Sequence, residues 1–180
     1  MARHQRFERV FAEVYGPLQR YVRRRAGAAV VDDVVADTLL VLWRRLDVVP
    51  ADAELAWCYG AARRCLANHR RADERRDRLA RRMPAGRRPA DGEAIEPDPE
   101  LIAALDELSA DDRELVRLWA WEQLAPRELA VVFGISANAA SIRLHRAKRR
   151  LTERLEAGKN DSSTGHKPVG DHTGRRGEGG

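Results

Sequence analysis

The side chains best suited to bind a ligand gather on one predicted helix, in the stretch GISANAASIRLHRAKRRL, Gly134 to Leu151. Apolar residues recur at Ala140, Leu144, Ala147 and Leu151, and this spacing predicts one stripe that faces a core. The opposite face carries short hydrogen-bonding groups near the helix start and positive charge further along. Such a face suits a helix that touches base edges first and then holds phosphates. Its residues are Asn138, Ser141, His145 and Lys148, flanked by Ile142, Arg146 and Arg149.

A tight turn and a preceding helix must position this face. Pro126 suits the first turn of the preceding helix, and Gly134 permits a left-handed turn after it. Ser136 is predicted to cap the second helix. The pair therefore predicts a helix-turn-helix. The alternative is a solvated basic helix that packs in a bundle and binds nothing.

Catalytic or metal chemistry is not predicted. His145 has no nucleophile or carboxylate at a suggestive distance along the chain. Cys58 and Cys65 lie two helical turns apart without a paired His or Cys at metal spacing, so we expect buried thiols. We accordingly expect no catalytic residue, no metal site and no cofactor.

The composition favours a helical protein with an acidic partner. Hydrophobic residues make up 43% of the chain and charged residues 34%, with a net charge of +5. Eleven Arg stand against three acids between Arg63 and Arg88, whereas Pro89 to Glu114 holds ten acids and one Arg. We find no signal peptide and no apolar run approaching ~18 residues. These features predict a cytoplasmic protein that does not insert directly into a membrane.

Helical patterns and breakers predict an all-α chain of two small helical domains joined by a flexible linker. The first domain is residues 1–82, and residues 83–98 form the linker, in a stretch where Met83 to Pro99 contains four Pro and two Gly. Residues 99–157 form the domain with the helix-turn-helix, in which Ser109 is a further predicted cap. Residues 158–180 contain seven of the thirteen Gly and are predicted to be a disordered tail.

Three stretches, in order, resemble the extracytoplasmic-function group of bacterial RNA polymerase sigma factors. LDELSADDRELVRLWAWEQLAPRELAVVFGISANAASIRLHRAKRRL resembles the group's C-terminal promoter-reading domain. DDVVADTLLVLWRRL is similar to its polymerase-binding helix, and AWCYGAARRCLANHRR to its Trp-led helix that engages the minus-ten element. The resemblance spans roughly Phe7 to Leu155. It implies a protein that binds core RNA polymerase and promoter DNA, helps open that DNA, and is usually controlled by an anti-sigma factor.

In the N-terminal domain the resemblance implies two functional sets. One set docks on polymerase, and its two acids share a helix face because they are four apart. The alternative is that they are plain solvated acids near a helix start. The other set lies along the minus-ten strand, beside the loop from about Val48 to Glu54. The polymerase-binding set is Asp33, Asp37 and Trp43, and the minus-ten set is Arg64, Asn68 and Arg71.

In the C-terminal domain the resemblance implies contacts of the second helix with the minus-thirty-five element. They map to Ser141, Ile142, His145 and Arg146, and the predicted DNA-binding set also includes Ser136, Asn138 and Arg149. The group generally has Gly-Thr-Val-Lys or Gly-Thr-Val-Arg where this chain has Asn138-Ala139-Ala140-Ser141, which lacks a phosphate-binding hydroxyl and a positive charge. The promoter sequence therefore does not transfer from the group. The alternative function is a stand-alone helix-turn-helix regulator that binds a palindromic duplex without polymerase.

Overall fold

The computed structural model describes residues 2–80 and 98–164 of the chain. These residues form seven α-helices and a short 3-10 turn at Leu46–Val48, with no strand in either range. The predicted all-α class is confirmed. Residues 83–97 of the predicted linker lie outside the described residues. The helices are α1 (Ala2–Arg23), α2 (Ala28–Arg45), α3 (Glu54–Ala80), α4 (Pro99–Asp106), α5 (Ala110–Trp121), α6 (Pro126–Phe133) and α7 (Ala137–Thr164).

The N-terminal unit, residues 2–80, is built from α1, α2 and α3. Helix α1 is amphipathic and buries Val10, Val14 and Leu18 at helical spacing, and it continues through Pro17 without a break. Helix α2 packs against both other helices. Its one buried polar side chain, Thr38, donates from Oγ1 to its own helix, so its hydroxyl is satisfied inside the core.

The C-terminal unit, residues 98–164, is built from α4 to α7, and its helix starts follow local sequence rules. Pro99 and Pro126 occupy the first turns of α4 and α6, where a missing N–H costs nothing. The Ser109 hydroxyl accepts a hydrogen bond from the Asp112 backbone N–H at 3.1 Å, which confirms the predicted cap of α5.

Helix α7 is longer than the sequence predicts, since it continues to Thr164 and so includes the first residues of the segment assigned to a disordered tail at 158–180. Extending an existing helix by one residue adds one hydrogen bond without a new nucleation cost, which composition alone does not reveal. Residues 165–180 lie outside the described residues. No helix in the described part of the chain is both long enough and apolar enough to cross a membrane.

The two units pack against each other, a feature that the sequence did not predict. One buried apolar cluster contains Tyr59 and Leu66 from α3 together with Leu115 from α5 and Leu129 from α6. A polar seam runs beside it, where the Tyr21 hydroxyl donates to a Glu114 carboxylate oxygen at 2.8 Å. Helices α3 and α6 form the closest part of this interface because Gly60 has no side chain to hold them apart.

Alanine at Gly60 is expected to disturb this contact. A Cβ there would lie 2.9 Å from the Val132 carbonyl oxygen, whereas a Cβ at Gly158 in α7 would meet nothing within 4 Å. Both substitutions gain helix propensity of about 1 kcal/mol, so their difference isolates the contact. We expect Gly60→Ala to be roughly 1–3 kcal/mol less stable than Gly158→Ala in urea unfolding, from overpacking. Equal stability of the two variants would contradict the packing of α3 on α6.

Candidate nucleic-acid interface

The turn between α6 and α7 has the geometry of a helix-turn-helix, as predicted. Gly134 adopts φ 65° and ψ 37°, in the left-handed region that glycine enters without strain. The N–H of Ile135 then donates to the Ala130 carbonyl oxygen at 3.1 Å, which closes the end of α6. The Ser136 hydroxyl accepts from the Ala139 N–H at 3.1 Å and caps α7. Local sequence therefore fixes the angle at which α7 leaves the turn.

Helix α7 divides into a buried face and an exposed face along the predicted line. Ala140, Leu144 and Ala147 are buried, and Leu151 is half-buried against the cluster that includes Leu108. All seven residues of the predicted DNA-binding set are exposed, and we call them the recognition face. They are Ser136, Asn138, Ser141, Ile142, His145, Arg146 and Arg149. The structure thus brings the whole predicted set to one accessible surface.

An ion pair that sequence analysis missed holds α7 on α5. The Arg143 Nε donates to the Asp112 carboxylate at 2.6 Å, and Arg150 lies 3.6 Å from the same carboxylate. Burial by itself would raise the pKa of Asp112, but the hydrogen bonds with Arg143 and Ser109 and the charges of Arg143 and Arg150 lower it below its ordinary value. Asp112 therefore stays ionised and fixes the recognition face relative to the rest of the unit.

The predicted minus-ten residues form an exposed strip along α3. Arg64, Asn68 and Arg71 are all exposed. The Arg71 Nη2 donates to the Asn68 side-chain oxygen at 2.9 Å, and its Nε donates to the Ala67 carbonyl at 3.2 Å. Asn68 thus orients the guanidinium of Arg71. Arg64 lies one turn before Asn68, and among the described residues its side chain has no hydrogen bond or ion pair. A basic strip of this kind can follow the backbone of a single strand.

The loop between α2 and α3 is held from α1 by Arg6, a residue that the sequence analysis did not single out. Its guanidinium donates to the carbonyls of Leu46 at 2.9 Å and of Val49 at 2.7 Å, and it contacts the buried Glu54 carboxylate at 3.3 Å. Val48, between these anchors, is 63% exposed. Arg6 lies 40 positions from Leu46, so no local pattern could have revealed the clamp.

The predicted polymerase-binding residues are exposed but do not all meet at one point. Asp33 and Asp37 share a face of α2, and Asp37 pairs with the His69 ring of α3 at 2.9 Å. Trp43 lies toward α1 instead, edge-on to the Phe7 ring with centroids 5.1 Å apart. The acids and the Trp therefore present two adjacent surfaces of α2.

The cysteines lie in the core. Cys58 is fully buried, and burial raises its pKa to about 12, with the Glu54 charge adding to the shift. Burial also raises the pKa of Cys65. Low thiolate content and low access make both thiols unreactive. In the part of the chain that the structure describes, no group of three or more His, Cys, Asp or Glu side chains could hold a metal ion.

Known proteins match the chain over most of its length. Residues 99–151 match the family model described as Sigma-70, region 4. RNA polymerase sigma factor CarQ of Myxococcus xanthus is 34% identical over 83% of this chain and 88% of its own length. ECF RNA polymerase sigma factor SigL of Mycobacterium tuberculosis (strain H37Rv) is 31% identical over 77% of this chain and 82% of its own.

Among solved structures the chain is similar in fold to the sigma factor RpoE, determined in complex with the anti-sigma factor NepR from Bartonella quintana. The TM-score is 0.58 at 22% identity, and the alignment covers 83% of this chain and 96% of that one. The likeness therefore extends over both helical units.

Proposed function

Because the chain belongs to the extracytoplasmic-function group of bacterial RNA polymerase sigma factors, which bind core polymerase and direct promoter-specific initiation, we propose that its two units divide this work. The C-terminal unit reads the minus-thirty-five element with the recognition face of α7. The N-terminal unit docks on polymerase through α2 and holds the opened minus-ten strand along α3. The chain acts as an initiation factor, and we assign it no catalytic step of its own.

The observation that carries this proposal is the two-sided construction of α7. Its inner face is buried and tied to α5 by the Arg143 and Asp112 pair, so its outer face is held at a fixed angle. That outer face is exposed along its full length, with Ser141 early in the helix and Arg146 and Arg149 later. A rigid helix with polar groups before positive charges fits a major groove bordered by phosphates.

The N-terminal unit supports its part through charge and exposure. The strip of Arg64 and Arg71 is positive and accessible, and Val48 is exposed in the loop that Arg6 fixes, which favours capture of a single strand by this unit. The exposed acids of α2 suit a basic docking surface on polymerase. Such exposed charges affect association most strongly at low salt.

A regulatory partner and a compartment also follow from the family. We propose that an anti-sigma factor controls this chain, as members of the group are usually controlled in this way, and the fold relative RpoE was solved bound to one. We further propose that the protein acts in the cytoplasm, where core polymerase is found. The chain carries out this role without a cofactor in our proposal.

Binding to core polymerase tests the proposal against a stand-alone regulator. We expect the labelled chain to bind purified core polymerase as a monomer in fluorescence anisotropy, and Asp33→Asn/Asp37→Asn to weaken this binding about tenfold at low salt. Asp32→Asn is the matched control, since Asp32 is an exposed acid of α2 outside the predicted set, and it should bind like wild type. If the chain does not bind core polymerase but binds a palindromic duplex tightly by itself, the result would support the stand-alone regulator.

A further inference from the structure

A cavity lined with arginines lies between the two units, where α1 and α3 face α5. Its volume is about 340 Å³, at the small end of ligand pockets. Seven of the thirteen residues that line it are arginines, and two are acids, Asp111 and Glu114. Only two of these arginines, Arg64 and Arg71, belong to the predicted minus-ten strip. The walls therefore hold a large excess of positive charge that the proposed DNA contacts do not use.

Three of these arginines carry buried nitrogens without a hydrogen-bond partner. They are Nη2 of Arg25, Nε of Arg113 and Nε of Arg117, and the described part of the chain has no other buried side-chain nitrogen or oxygen in this condition. All three arginines line this one cavity. Buried donors in native proteins are almost always paired with protein, water or an ion. The cavity is thus surrounded by arginines whose buried donors are not all satisfied by the described part of the chain.

The local acids do not neutralise the walls. Glu114 forms an ion pair with Arg25 and accepts a hydrogen bond from the Tyr21 hydroxyl, and Asp111 forms an ion pair with Arg63. Arg113 pairs with Asp106 at 2.7 Å. The remaining arginines have no carboxylate partner among the described residues. These four are Arg64, Arg70, Arg71 and Arg117.

The surroundings of Arg117 show the same imbalance. Burial is the main cause that lowers its pKa from the ordinary arginine value. Glu114 acts in the opposite direction, but the positive charges of Arg25 and Arg113 lower the pKa further. A bound anion would relieve this repulsion.

We propose that this cavity binds a compact, phosphate-rich anion, either the phosphate chain of a nucleotide or an inorganic oligophosphate. A guanidinium donates two parallel N–H groups to phosphate oxygens, and several guanidiniums around a small volume suit an oligophosphate better than a single carboxylate. The cavity size suits a small molecule and not a length of polynucleotide. The site is independent of the proposed promoter contacts on α7.

The ligand would also act on the arrangement of the two units. Arg25 and Arg70 come from the N-terminal unit, whereas Arg113 and Arg117 come from α5 of the C-terminal unit. An anion held by both walls binds only when the units are packed together. It therefore stabilises the packed arrangement, and the stabilisation increases with the logarithm of the ligand concentration above Kd.

Calorimetric titration of the full chain with sodium tripolyphosphate, at constant ionic strength and without divalent metal, tests this site. We expect saturable binding at one site, weakened about tenfold in Arg117→Gln and tightened severalfold in Asp111→Asn, which removes a negative charge from the wall. Arg127→Gln is the control, because Arg127 is an exposed arginine outside the cavity. A parallel titration with ATP distinguishes the sources, since tighter binding of ATP identifies a nucleotide and equal or weaker binding an inorganic oligophosphate.

Several results would overturn the site. One is the absence of saturable binding of both probes, and another is unchanged binding in a folded Arg117→Gln. If Arg117→Gln does not fold by circular dichroism, Arg70→Gln replaces it, because Arg70 is exposed and lines the same cavity. A short single-stranded oligonucleotide that needs Arg117 while tripolyphosphate does not bind would assign the cavity to DNA instead.

Discussion

Arg25→Met is expected to lower the free energy of unfolding by about 3–5 kcal/mol, the largest effect of any substitution that we predict. The Arg25 side chain is only 3% exposed, and it donates from Nε to Glu114 at 2.8 Å and from Nη1 to Glu122 at 3.1 Å. Its guanidinium also lies 3.8 Å from the centre of the Tyr21 ring. Methionine keeps much of the side-chain length but removes the guanidinium that pairs with Glu114, and it leaves Glu122 with Arg24 as its ion-pair partner.

The loss should appear in urea unfolding at neutral pH and should be largely reversed in Arg25→Met/Glu114→Gln/Glu122→Gln, because the triple variant buries no unpaired charge. Arg76→Met is the matched control. It breaks the ion pair with Asp73, in which Arg76 is 79% exposed, and should change stability little. If Arg25→Met behaved like Arg76→Met, the two units would not be packed together in solution.

Asp112→Asn is expected to destabilise the C-terminal unit by about 2–3 kcal/mol. The carboxylate accepts from Arg143 at 2.6 Å and lies 3.6 Å from Arg150, so an uncharged amide loses both charge-assisted contacts between α5 and α7. We also expect weaker duplex binding, since α7 would no longer be held at a fixed angle. Glu153→Gln is the control, because Glu153 pairs with Arg149 on the exposed surface of the same helix, and its loss should stay within about 0.5 kcal/mol.

The effect of Asp112 should depend on pH in a defined direction. Its folded-state pKa is below the unfolded-state value of about 3.9, so its stabilisation is fully present above that value. The stabilisation is lost as the pH falls through the lower folded-state pKa. Urea unfolding should therefore show the largest gap between wild type and Asp112→Asn at pH 7, and a smaller gap below pH ~4. A gap that widens on acidification would contradict the ion pair.

The helix-turn-helix was predictable from sequence because each of its determinants is local. The left-handed turn at Gly134 and the cap at Ser136 depend on residues within a few positions, and the recognition face follows from helical spacing alone. The exposed strip of Arg64, Asn68 and Arg71 was likewise visible as a spacing on one helix. Whether these residues contact DNA stays a prediction.

The packing of the two units was not predictable, because its contacts join residues far apart in the chain. Arg25 and Glu114 are 89 positions apart. The need for a glycine at position 60 is visible only in the folded structure, where the Val132 backbone lies against it. In the sequence, Glu114 of α5 and Glu122 directly after this helix look like ordinary solvent-facing acids. The hydrogen bonds of Arg6 to the loop between α2 and α3 were not predictable either, because they also join residues far apart in the chain.

Run-off transcription with purified core RNA polymerase and this chain, on fragments of its own genome, tests the central claim most directly. We predict discrete transcripts that require both components and whose start sites share two upstream sequence elements. Arg146→Ala should reduce these transcripts about tenfold without loss of binding to core polymerase. Arg154→Ala, an exposed arginine of the same helix paired with Glu107, should leave them unchanged. The absence of transcripts together with the absence of binding to core polymerase would contradict the assignment as a sigma factor.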